Sequence, residues 1–301
     1  MIDDDIVTAI ADRLALALAP PAAPLYPLCV EHQAAGRLDA ARFARLAQFD
    51  DVFEADAGAL RFVPGLGEAS RRTAALERVT RALQGEGALT AWRDEAYAAA
   101  SELGAPPWFL LERAAARYFG IHTCAVHVNG LVRRDSGVAM WIARRSPAKA
   151  IDPGLLDNLV GGGLAAGQSV AATLVREAAE EAGIGAELAR RAAPAGAVHV
   201  YRPQPDGIQH ETIFVHDLWL PESFAPVAVD GEVVENRLVD LADAARIAAN
   251  TAGTDVATAD ACLVIADCLM RQGAIAPGSP GYRALDALRH LETPADPCRP
   301  A

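Results

Sequence analysis

The sequence predicts an α/β protein in which a mixed sheet packs between helices over residues 121–301. A smaller helix-rich α+β domain precedes it over residues 1–120. Three observations carry that expectation. Apolar residues make up 52 % of the chain and charged residues 22 %, which is enough to bury a real core, and 301 residues suit about two ordinary domains. Helical periodicity dominates up to about residue 120, and alternating strand-like texture begins at Ile121. A glycine triplet, Gly161-Gly162-Gly163, then leads into an amphipathic helix.

The first helix follows from Ile6, Ile10, Leu14 and Leu18, preceded by an Asp cluster and stopped by Pro20-Pro21. A second is expected over Asp39–Phe49. A hairpin follows, with VFEA and ALRFV flanking Asp56-Ala57-Gly58. The stretch Glu68–Gln84 reads as a helix with an arginine-rich exposed face. Two alanine-rich helices are expected next, one containing Trp92 and Tyr97, the other running from Pro106-Pro107 to Gly120. From Ile121, IHTCAVHVN and GVAMWIARR read as strands flanking a turn-rich NGLVRRDSG. LLDNLV is a short apolar strand, and a helix is expected over about Val170–Ala182, stopped by Gly183. AVHVY, HETIFVHDLWL and EVVENRLVDL are further strands, with Ile213, Val215, Leu218 and Leu220 facing the core. Three helices close the chain.

Composition excludes several classes. The net charge is −12, from 39 acidic and 27 basic residues, so nucleic acid is not an expected partner. Four prolines interrupt the long uncharged run Leu14–Val30, so it cannot span a membrane, and MIDDDIV is acidic where a signal peptide is basic. The five cysteines (29, 124, 262, 268, 298) form no CxxC pair and read as free thiols. A cytoplasmic protein without a membrane partner is expected.

The chemistry concentrates in GGGLAAGQSVAATLVREAAEEAGI, residues 161–184. On a helical wheel with Arg176 at zero, Glu180 falls at about 40°, Glu177 at about 100° and Glu181 at about 140°. Leu174, Val175, Ala178, Ala179 and Ala182 occupy the opposite arc. Three carboxylates and one arginine therefore share a face beside a loop that lets backbone approach a ligand. Clustered oxygens of this kind suit a hard divalent cation.

Gly162, then Gln168 and Arg176-Glu177-Ala178-Ala179-Glu180-Glu181-Ala182-Gly183-Ile184, resemble the Nudix box, with Gln168 in place of the box's first glutamate and Ala178 small for its aliphatic position. HVNG (127–130), WIARRS (141–146), PGLLDN, DGEV (230–233) and ACLVIADCL resemble one branch of that superfamily, which in some fungi is fused to thiamine pyrophosphokinase and carries an extra N-terminal domain. In that branch the first box glutamate is often replaced.

The resemblance implies a Nudix fold and a magnesium ion, with manganese as a substitute, held by Glu177, Glu181, Glu180 and the Gly162 carbonyl. Glu180 either adds a ligand or pairs with Arg176, which orients the carboxylates. Glu177, Arg176, Glu180 and Glu232 are the candidate catalytic residues, with Glu177 or Glu232 as proton acceptor. Gln168 is expected to hold Arg176. Arg144, Arg145 and Lys149 form a basic stretch expected to bind the diphosphate of a small-molecule substrate. His127, His199, His210 and His216 read as structural. The expected activity is hydrolysis of a small organic diphosphate, with thiamine diphosphate or its oxidised derivatives cut to the monophosphate. The alternatives are ADP-ribose or a nucleotide sugar as substrate, or a diphosphate-binding regulatory module. Residues 1–120 are expected to shape the substrate's organic end or a homodimer interface.

Overall fold

The computed structural model describes residues 1–56, 58–290 and Cys298; Ala57, in the expected hairpin turn, lies outside them. Helix α1 (Asp4–Ala17) is capped by Asp3, whose carboxylate accepts from the Asp5 N–H. Strands β1 (Tyr26–Val30) and β2 (Gln33–Leu38) form a hairpin, followed by α2 (Ala40–Leu46), β3 (Phe53–Asp56), β4 (Ala59–Phe62) and α3 (Ala69–Gly85). A second hairpin, β5 (Ala96–Ala99) and β6 (Phe109–Glu112), leads through a short turn into α4 (Ala116–Phe119). Then come β7 (His122–Arg134), β8 (Gly137–Arg145), β9 (Leu156–Asn158), β10 (Val160–Gly163), α5 (Val170–Ala182) and α6 (Ala186–Ala189). The rest is β11 (Ala193–Gln204), β12 (Gly207–Leu220), β13 (Val233–Asp240), α7 (Leu241–Ala249), α8 (Ala259–Arg271) and α9 (Pro280–Arg289).

The large sheet runs β11-β12-β7-β8-β13, with β10 on β7 and β9 on β8. It is mixed, because β12 and β7 are parallel while the other pairs are antiparallel. Successive residues of β7 face opposite layers. Val126, Val128 and Val132 pack toward α5, whereas Ala125 and Leu131 pack toward α8. Ile213, Val215, Leu218 and Leu220 are buried as expected.

Several expectations give way to tertiary packing. The helix expected around Trp92–Tyr97 is strand β5, and most of the one expected after Pro107 is strand β6 and a turn. Their side chains alternate in burial, so alanine's helix propensity loses to packing across the pair. The prolines of the run before Val30 precede or start β1 and do not prevent a hairpin there. In NGLVRRDSG, strand β7 continues to Arg134 and only the end turns. The first helix does not join the core of the first domain. Val7, Ile10, Ala11, Leu14 and Leu18 pack among α7, α8 and α9, and the Ile2 N–H donates to the Ala274 carbonyl at 2.8 Å. A separate core fills residues 28–121. Two of the five cysteines, Cys29 and Cys298, are joined in a disulfide across 269 residues; only Cys124, Cys262 and Cys268 are free. Sequence spacing says nothing of such a long-range approach. Among the described residues no helix is long and apolar enough to cross a membrane.

The two cores meet backbone on backbone. A Cβ on Gly36 would lie 2.2 Å from the Phe119 carbonyl oxygen, and one on Gly120 would lie 2.0 Å from that of Arg37. Gly120 also needs its left-handed conformation (φ 57°) to end α4. Beside this seam, the His122 and His210 rings stand 4.7 Å apart, and both His122 and His199 hydrogen-bond the Thr212 hydroxyl. His210 Nε2 is buried without a hydrogen-bond partner among the described residues, and burial with the nearby His122 holds its pKa down at about 3.

Between about pH 6.5 and 3 the unfolded chain therefore takes up a proton that folded His210 refuses. Stability should fall as the pH drops through that window, with a slope approaching about 1.4 kcal/mol per pH unit for each withheld proton. Thermal unfolding of His210→Phe between pH 7 and 5 should show a shallower decline than the parent.

Candidate active site

Helix α5 starts at Ser169, whose hydroxyl accepts from the Ala172 N–H, and ends at Gly183 in the left-handed region. Its apolar arc docks Leu174, Ala178 and Ala182 on the sheet. That register pushes Glu177 and Glu181 inward against the glycine strand β10, where they are 8 % and 5 % exposed. The Gly161 N–H donates to Glu181 Oε2 at 2.8 Å. Gly162 is required by space, since a Cβ there would sit 2.2 Å from the carboxyl carbon of Glu177.

Arg176 donates to Glu177 at 2.8 Å and to Glu180 at 3.1 Å. Glu180 is half-exposed, so of its two expected roles the structure shows the arginine pair. Burial pushes the Glu181 carboxyl up to about 8 against the opposing pull of Lys149 and the Gly161 amide. Burial likewise raises Glu177, with Arg176 opposing. At both groups burial outweighs the donors and cations beside them.

The donor set here is all oxygen, which suits a hard divalent ion. Among the described residues no three His, Cys, Asp or Glu side chains stand close enough to cage an ion alone. Magnesium commonly takes one or two carboxylates and completes its shell with water and substrate phosphate, so the pair fits that ion.

The three expected diphosphate-binding cations separate. Alternation along β8 sends Arg144 away from the cavity, where Glu235, Asp255 and the Gly154 and Thr254 carbonyls hold it. It is a structural clamp, and its assignment to substrate is corrected. Arg145 lines the cavity but is tied to Asp157 at 2.8 Å. Lys149 bridges two carboxylates, with Nζ 3.5 Å from Glu181 and 2.6 Å from Glu232. Glu232 also pairs with Arg93 at 3.2 Å. Burial works against its charge, but Lys149 and Arg93 prevail and hold it below the usual carboxylate range. Gln168 departs from expectation: it is exposed in the turn before the helix, and Arg176 is held by Glu177 and Glu180 instead.

A cleft of about 440 Å³ is lined by Gly162, Arg176, Glu177, Arg145, Lys149 and Glu232. One wall is the α8-facing side of the sheet, with Thr123, Ala125, His127 and Glu211. The other belongs to the first domain, with Arg93, Glu95, Tyr97, Arg113 and Arg117. Strand β5 grips the glycine loop directly, because the Ala166 N–H donates to the Ala96 carbonyl at 2.8 Å. A Cβ on Gly163 would meet the Tyr97 hydroxyl at 1.9 Å. Reading β5 as a helix concealed all of these residues. Alternation of Ala96, Tyr97, Ala98 and Ala99 was the only local signal for them.

Residues 124–259 match the NUDIX domain family, and residues 20–123 match a domain of unknown function, DUF4743. Nudix hydrolase 24, chloroplastic, of Arabidopsis thaliana is 39 % identical over 268 residues, covering 88 % of this chain and 72 % of that protein. Nudix hydrolase 20, chloroplastic, of the same plant is 37 % identical over 274 residues with the same coverage. Among solved structures, the Nudix domain of Shewanella oneidensis NrtR complexed with ADP ribose is similar at a TM-score of 0.40 and 15 % identity, over 51 % of this chain and 90 % of that one. The two plant relatives align through both halves of the cleft, and this chain belongs to the Nudix hydrolase family of pyrophosphohydrolases.

Proposed function

We propose that the protein hydrolyses the diphosphate of a small organic diphosphate with magnesium, and that its substrate is thiamine diphosphate or an oxidised derivative. The observation that carries the reading is the buried pair Glu177 and Glu181 against the glycine strand, with Glu177 at Gly162 facing a cleft lined by Arg93, Arg113, Lys149 and Arg176, and Glu181 behind it on the Gly161 N–H. Glu177, Glu181 and the Gly162 carbonyl would hold the ion. Once bound, it would neutralise charge on the phosphoryl oxygens and lower the pKa of water. Arg176 orients Glu177. Lys149 and the first-domain arginines offset the charge of the diphosphate. Glu177 and Glu232 are the two carboxylates at the cleft available to the water's proton, and Lys149 and Arg93 hold Glu232 ionised there. Water adds to phosphorus, the anhydride P–O bond breaks, and monophosphate and orthophosphate leave.

Two features support the thiamine assignment. One is the resemblance of HVNG, WIARRS and DGEV to the thiamine pyrophosphokinase-fused branch. The other is Glu211, a carboxylate on the cleft wall that among the described residues accepts only from neutral donors, Thr123 at 3.2 Å and Gln209 at 3.0 Å. It suits a cationic ring better than a sugar.

Incubating the protein and magnesium with thiamine diphosphate, its oxidised derivatives, ADP-ribose and nucleotide sugars, then reading products by mass, tests the reading. Thiamine monophosphate or its oxidised counterpart is expected; AMP from ADP-ribose as the main product would overturn the substrate assignment. Glu181→Gln should lower turnover about a hundredfold while stability stays within about 1 kcal/mol, because glutamine keeps the side chain's shape and an oxygen for the Gly161 N–H. Gly162→Ala should lower turnover at least about tenfold by displacing the Glu177 carboxylate. Its melting temperature should change little, since the Cβ meets the movable end of a side chain. Steady-state kinetics and thermal melts check both.

A further inference from the structure

His127 sits on the cleft wall at the end of a chain of amides that leads through the sheet. The chain is anchored by Asp217, which is 8 % exposed and held by two hydrogen bonds from Arg271. A carboxylate so held can only accept, so the side chain of Asn129, at 3.0 Å, must turn its amide nitrogen toward Asp217. The Asn129 oxygen then faces Asn158 and accepts from its Nδ2 at 3.4 Å. That in turn aims the Asn158 oxygen at His127 Nδ1, 2.7 Å away. Each orientation dictates the next, and the last places the ring proton on Nδ1.

The other nitrogen, Nε2, is left as an acceptor. It makes no hydrogen bond among the described residues and is not sealed from the cleft. Gly161 lies across from it on β10, where a Cβ would come within 3.2 Å of Nε2; the missing side chain keeps the space over the ring open. The nearest carboxylate, Asp157, is 4.0 Å from Nδ1 and is engaged by Arg145.

We propose that His127 is a substrate-binding residue of fixed tautomer, whose Nε2 accepts a hydrogen bond from an N–H or O–H group on the non-phosphate part of the substrate. Asn158, Asn129 and Asp217 are positioning residues that act through it. The proposal rests on the cleft being the substrate site, as argued above. It adds that the organic portion must carry a donor where His127 stands. A wrong tautomer would present N–H to that donor and repel it.

The full-length protein labelled with 15N-histidine should show, by long-range 1H–15N correlation at pH 8, the Nδ1–H form for His127. An Nε2–H form would overturn the proposal whatever the substrate proves to be. Asn129→Leu should erase the preference for one tautomer, and an unchanged preference would overturn the relay. With thiamine diphosphate and magnesium, His127→Phe should raise KM about tenfold with kcat within about threefold, as expected for loss of one buried hydrogen bond. An unchanged KM would overturn the binding role. Failure of the parent protein to cleave thiamine diphosphate would overturn the substrate assignment alone and leave the tautomer measurement to decide this proposal.

Discussion

Two carboxylates buried against a strand of glycines are the constraint around which this molecule is arranged. Isolated carboxylates do not persist in a low-dielectric interior, so every element near Glu177 and Glu181 supplies a donor or a cation. The glycine strand gives an N–H to Glu181, the loop after β8 gives Lys149, and α5 itself gives Arg176. Compensation remains incomplete, which is why burial dominates both groups. A protein selected for stability alone would replace such a pair with apolar residues. Against the glycine strand the pair trades stability for charge placement.

The first domain completes this arrangement. Its β5–β6 hairpin bonds to the glycine loop, brings Tyr97 against Gly163 and links Arg93 to Glu232. The cleft therefore has a cationic side built from both cores and a wall of acceptors built from the sheet. Neither core encloses it alone. The glycine seam at residues 36 and 120 fixes the mutual placement, because backbones in contact leave no side-chain layer in which to slide.

How much of this was legible in the sequence depended on how local each signal was. Helix α5 runs over the predicted residues because an amphipathic period, a serine cap and a terminal glycine are all local. Glu177, Glu180, Glu181 and Arg176 fell into place with it. The β5–β6 hairpin was hidden because alanine favours helix, while its alternation matters only once a partner strand exists. Arg144 and Arg145 are equivalent in composition, and only the sheet decides which of them sees the cleft. His127 gave no ligand spacing, since the relay that holds it, Asn158, Asn129 and Asp217, is assembled from three strands. The Cys29–Cys298 bridge was illegible for the same reason: nothing local connects positions 269 residues apart.

Helix α1 has a consequence for how the chain is made. Its apolar face finds its partners in α7, α8 and α9, so Val7 and Gly281 are neighbours although 274 positions part them. At a synthesis rate of roughly 5–20 residues per second, α1 leaves the ribosome about 14–55 seconds before α9 does. During that interval Val7, Ile10 and Leu14 have nothing native to cover them, while the core of residues 28–121 can already form. The second core cannot close until the last helix arrives, so the apolar stripe of α1 stays uncovered through most of synthesis.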